Sequence, residues 1–78
     1  MYFIEGREIR DENGLIVAEA RLPEDACEIV AALNLVERAV EMFPGLRDGS
    51  TPVSGADLVD LVGDCLVFDA EGRYRERD

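Results

Sequence analysis

Neither histidine nor lysine occurs among the 78 residues, and those two absences exclude more than any motif present asserts. Without histidine the chain lacks the usual general base, the commonest metal ligand and every Ser-His or Cys-His nucleophile pair. Without lysine a phosphate loop of the GxxxxGK type cannot form, and the seven glycines are scattered singly instead of gathering into a GxGxxG turn. Cysteine is scarce as well. Cys27 and Cys65 form no CxxC pair, and the expectation is a reducing cytoplasm with both thiols buried as small hydrophobes. The start Met1-Tyr2-Phe3-Ile4-Glu5 has no basic signal-peptide region, and no run approaches the ~20 apolar residues of a membrane span. These absences point away from an enzyme, a cofactor or a membrane protein, and toward a chain that acts by binding.

What is abundant is negative charge. Eighteen aspartates and glutamates face eight arginines, for a net charge of −10. Three of those arginines, Arg73, Arg75 and Arg77, sit near the end, so residues 1–72 hold five arginines against sixteen acids. Direct nucleic-acid binding is disfavoured, because phosphate contact needs a basic stripe. The excess has an ordinary use in solubility, and a pointed one in matching a basic protein partner. A chain this short is also near the size at which one core leaves only about 3–5 kcal/mol of stability. Dimerisation is the expected supplement, since neither disulfides nor a metal is indicated.

Along the chain, the first twenty residues predict a hairpin. Tyr2-Phe3-Ile4 and Ile9 form one arm and Leu15-Ile16-Val17-Ala18 the other, reversed at Asp11-Glu12-Asn13-Gly14, whose Asn-Gly supplies positive φ. Gly6 interrupts the first arm as a bulge would. Ile16, Ala18 and Ala20 alternate onto one face. Pro23 then opens a helix, with Glu24 and Asp25 at the positive end of its dipole, and the helix is predicted to reach about Phe43. Ala26, Ile29, Leu33, Val36, Val40 and Phe43 make a core stripe facing the hairpin. Pro44-Gly45 ends it, and Arg47 to Pro52 reads as a polar connection. Ser54 followed by Asp57 caps a second helix, with Leu58, Leu61, Val62 and Cys65 on its apolar face. Cys65-Leu66-Val67-Phe68 admits two readings, the last turn of that helix or a short strand before a turn at Asp69-Ala70-Glu71-Gly72; the helix is the one adopted. The fold class is thus α+β, an N-terminal β-hairpin packed on a long amphipathic helix and followed by a shorter one. Residues 1–72 form the single domain and 73–78 a charged, frayed tail.

Two surfaces follow. Asp57, Asp60 and Asp64 recur at helical spacings of three and four, a row of carboxylates about 5–6 Å apart, close to phosphate spacing. A divalent cation is one use of such a row, but a solvated helix face is the ordinary one, and no metal is expected. Leu35 and Met42 fall outside the core stripe, beside Glu24 and Glu28. That combination gives an apolar anchor with an acidic rim, unless the second helix covers it within the monomer.

The segments Tyr2-Phe3-Ile4-Glu5-Gly6-Arg7, Asp11 with Gly14, Val17-Ala18, Ala32-Leu33-Asn34 and Asp48 to Asp57 resemble short phage and prophage accessory proteins over about two-thirds of the chain. These segments are turns and caps and carry over no site residue. The group includes inhibitors of bacterial defence of the anti-CRISPR kind, some of them acidic. The resemblance implies a bacterial host cytoplasm and inhibition of a nucleic-acid-binding protein. A homo-oligomeric sequestering protein that meets anionic ligands through Arg38, Arg47 or the tail arginines is the alternative, and a phage regulatory or structural adaptor is a third reading.

Overall fold

The computed structural model describes residues 1–50 and 53–77; Thr51, Pro52 and Asp78, which belong to the expected connection and tail, lie outside the described residues. The chain is α+β. A three-stranded antiparallel sheet, β1 (Phe3–Glu5), β2 (Glu8–Arg10) and β3 (Ile16–Glu19), precedes helix α1 (Pro23–Met42). A 3-10 turn (Pro44–Leu46), helix α2 (Gly55–Cys65) and a two-stranded sheet of β4 (Leu66–Phe68) and β5 (Tyr74–Glu76) complete it. No described helix is long and apolar enough to cross a membrane.

The expected hairpin therefore gains a third strand, and Gly6 explains why. It sits at the reversal between β1 and β2 with φ +66°, while Arg7 keeps a negative φ. That sign pattern belongs to a type II′ turn, whose twist matches the flanking strands. The bulge lies elsewhere. Ile9 pairs with Ala18 but Arg10 pairs with Ile16, leaving Val17 as the extra residue on β3. One extra residue reverses the alternation, so Ile16 leaves the face it would have shared with Ala18 and is 52% exposed.

The second difference lies after α2. The helix stops at Cys65, Leu66 is already extended, and Leu66–Phe68 pairs with Tyr74–Glu76. The expected final helical turn is a strand, and the expected frayed tail is its partner. The turn between them copies the one between β2 and β3. Asp11 Oδ1 accepts from the amides of Asn13 and Leu15, and Asp69 Oδ1 accepts from those of Glu71 and Arg73. Gly14 and Gly72 then follow with φ of +82° and +85°. In both, an aspartate side chain fixes the reversal and a glycine takes the left-handed residue that closes it. Gly72→Ala should therefore cost about 1–2 kcal/mol from backbone conformation alone. Gly63→Ala, inside α2 where a Cβ meets nothing within 4 Å, should instead stabilise by about 0.5–1 kcal/mol. Urea midpoints of the two variants moving in opposite directions would check both.

Helix α1 starts as its sequence dictates, with Pro23 in the first turn followed by Glu24 and Asp25. Its packing departs from a single stripe. The core cluster joins Ile9 and Ala20 to Ala26 and Val30, with Ile29 and Leu33 packed against it. Val36 is 59% exposed, because the short sheet does not extend under the second half of the helix. On the opposite flank Ala31 is buried and Leu35 half-buried, where α1 packs on β5 and α2. The helix is thus held between two β units and needs two apolar flanks. Cys27 falls between those flanks and is exposed, and Cys65 is half-buried, so neither thiol is the buried hydrophobe expected. The radius of gyration is 13.6 Å, against about 11.5 Å for a compact chain of this length. The molecule is a slab only 19 Å thick, rich in surface for its size.

Candidate functional site: an acid-rimmed cleft beside the long helix

Helix α2 begins where Ser54 Oγ accepts from the Asp57 amide at 3.1 Å. Asp57, in the first turn, adds negative charge at the positive end of the helix dipole. Asp57, Asp60 and Asp64 are all exposed, and none joins an ion pair among the described residues. No group of three histidine, cysteine or carboxylate side chains converges to hold a metal ion among the described residues.

The second expected surface divides. Glu28 is occupied within the fold, since its Oε1 accepts from Arg73 Nε at 2.5 Å while Asp25 Oδ1 accepts from Arg73 Nη2 at 2.6 Å. These carboxylates, Asp25 first, hold the Arg73 guanidinium above its ordinary basicity, and they fasten the β4–β5 hairpin to the first turns of α1. Met42 is 52% exposed and is not part of the lining of the cleft described next. Leu35 lines that cleft.

The cleft opens where three elements meet. Leu35, Arg38 and Glu41 come from α1, Asp64 from the end of α2, and Glu76 and Arg77 from β5 and the residue after it; the cleft is open to solvent and its volume is about 340 Å³. Ala31 and Cys65 contribute apolar floor. Arg77 is turned partly inward, its Nε donating to the Gly63 carbonyl at 3.0 Å and its Nη2 to that of Leu66 at 3.3 Å. At the rim the N-terminal ammonium lies 3.1 Å from Glu37 and 3.5 Å from Glu12, and the hydrogen bond to Glu37 is the main cause of its raised pKa. The lining is mixed in charge: Glu37, Glu41, Asp64 and Glu76 share it with Arg38, Arg77 and the N-terminus, and Glu37 is paired to the ammonium while Glu76 accepts from Asn34. Glu41 and Asp64 are the carboxylates placed to meet a cationic side chain, whose methylene stem would lie on the floor.

Asn34 builds this corner. Its Oδ1 accepts from the Tyr2 amide at 2.7 Å, its Nδ2 donates to the Tyr2 carbonyl at 3.0 Å, and Nδ2 also donates to Glu76 Oε1. One side chain thus ties the residue leading into β1, helix α1 and β5 together. The sequence carried a signal for it: a lone amide inside the apolar run from Ala31 to Val36 requires partners when partly buried. A second cleft of about 470 Å³ lies at the hairpin clamp itself, where Glu24, Glu28 and Arg73 join Cys27, Phe68 and Tyr74 in its lining. Its aromatic rings are 5.8 Å apart.

No match to the chain was found among family models, curated proteins or solved structures.

Proposed function

We propose that this is a non-catalytic inhibitor of the anti-CRISPR kind, which docks on the basic surface of a nucleic-acid-binding protein and excludes its ligand by occupation and repulsion. The observation supporting this is the meeting of Leu35 and Asp64 in one cleft, with Glu41 and Glu76 beside them. An apolar anchor with a charged rim, in which Glu41 and Asp64 stand beside Arg38 and Arg77, gives affinity from the centre and orientation from the rim. The net charge of −10 adds steering toward a basic partner, an effect that salt suppresses.

The test is capture from bacterial lysate by the immobilised protein at low and high salt, with the captured proteins identified by mass spectrometry. Nucleic-acid-binding proteins should be enriched and then released as salt rises. Leu35→Asp should abolish their capture. Asp64→Asn should weaken it roughly tenfold or more, as expected for one close charge pair lost, whereas Asp57→Asn, at the other end of α2, should do less. Full capture by both Leu35→Asp and Asp64→Asn would overturn the cleft as the docking site, and capture insensitive to salt would overturn the basic partner.

A further inference from the structure

The N-terminal sheet has two edges, β1 and β3. At the first, the Asn34 side chain bonds both the amide and the carbonyl of Tyr2, the residue just before β1. On the other side, β3 has β2 as its hydrogen-bonded neighbour among the described residues, and nothing pairs along its outer side. The Ala20 amide donates to the Arg7 carbonyl at 2.8 Å and Ala18 is in register with Ile9. Backbone groups alternate in direction along an antiparallel strand, so those of Glu19, between these two, point to the open side.

The outer face of the same sheet carries two rows. Phe3, Arg10 and Ile16 are in register across the three strands, and so are Glu5, Glu8 and Glu19. Three like charges directly opposite one another are destabilising. Arg10 and Arg7 relieve them in part. Arg10 Nη2 donates to Glu8 at 2.8 Å, its Nε approaches Glu5 at 2.9 Å without hydrogen-bond alignment, and Arg7 lies 3.2 Å from Glu19. The glutamate row ends at the open edge in Glu19, whose ion pair is exposed and easily exchanged. Phe3 is 45% exposed and Ile16 ends the other row on the same edge.

We infer that the β3 edge takes up an extended basic segment of the partner protein as a fourth strand. The segment sets an arginine or lysine beside Glu19 and an apolar side chain beside Ile16. This deepens the reading that the partner is basic and rests on it. Strand addition supplies backbone hydrogen bonds for affinity, and the two rows supply the side-chain code. A second copy of the chain fits this edge poorly. The strand Ile16-Val17-Ala18-Glu19 contains no cation to set against Glu19, and two bodies of charge −10 repel. The shortness and bulge of β3 also discourage self-pairing.

The test is a titration of the full chain, isotope-labelled for amide NMR, with a synthetic peptide of alternating arginine and valine. A second peptide of the same sequence carries backbone N-methyl groups on every other residue. The first peptide should shift the amides of Ile16 and Glu19 and slow hydrogen exchange at Glu19. The methylated peptide, unchanged in charge, should bind roughly tenfold or more weakly, the equivalent of one or two lost hydrogen bonds. Equal binding of the two peptides would overturn strand addition. So would shifts confined to Leu35, Glu41 and Asp64, an outcome that leaves the cleft reading standing. Concentration-dependent protection of Glu19 without peptide would assign the edge to a second copy and overturn the proposal. Failure of the lysate capture, with the peptide result intact, would instead remove the proposed inhibition.

Discussion

Ile9→Ala should unfold the protein at room temperature. Ile9 is fully inaccessible to solvent and is the largest such side chain among the described residues. It occupies the centre of the cluster formed with Ala20, Ala26 and Val30. Two of its three neighbours there are alanines, which are too small to close around the lost atoms. The cavity term therefore adds to the transfer term, and Ile→Ala changes of this kind cost about 2–5 kcal/mol. That equals the whole stability expected of a single-core chain of this size, about 3–5 kcal/mol. Far-ultraviolet circular dichroism against urea should show no cooperative transition for the variant where the parent has one. Leu33→Ala, at a half-buried site packed on the same cluster, should be milder. Val36→Ala should lie within about 0.5 kcal/mol of the parent, as exposed substitutions do. A large loss from Val36→Ala would mean that the helix is rotated relative to the sheet.

Asn34→Ala should give the next largest loss, about 2–3 kcal/mol, and an uneven one. The substitution strands the Tyr2 amide and carbonyl and releases Glu76. A part-buried polar group left without a partner costs about 1–3 kcal/mol. Because Tyr2 lies beside the first sheet and Glu76 in the second, the loss of these bonds should open the molecule from one corner. Amide exchange should speed up at Tyr74–Glu76 and near Tyr2, while Ile9 and Val30 keep their relative protection. Uniform loss of protection would show Asn34 to be a core residue like any other and not a tie between two β units.

How much of this was legible depended on how local each signal is. Pro23 with Glu24 and Asp25, Ser54 before Asp57, and Asn13-Gly14 each act within one turn of chain, and each marked its element correctly. Gly6 was readable as a break but not as a reversal, since a single glycine among charged residues serves a bulge or a turn equally well. Leu66-Val67-Phe68 is too short to show a period, and only its pairing with Tyr74–Glu76 makes it a strand. The surfaces divided in the same way. Asp57, Asp60 and Asp64 could be placed on one helix face from spacing alone. The meeting of Asp64 with Leu35 could not, because it depends on α2 and the second hairpin folding back along α1. Glu28 looked free for the same reason: its partner Arg73 lies 45 residues further on.

The paired aspartate turns bear on the order in which the molecule assembles. Each closes over five residues, Asp11 to Leu15 and Asp69 to Arg73, and hairpins of this kind form in about 1–10 μs. Helix growth is faster still. The chain can therefore have both reversals and its central helix before any distant contact exists. What is slow is the bridge from Tyr2 through Asn34 to Glu76, which spans 32 and then 42 residues. Closing those loops carries the larger entropic cost, so the corner that frames the cleft is expected to form after the local turns and the helix. A nascent chain would then display α1 before that cleft is complete, and the proposed docking surface would form only once β5 has packed against the helix.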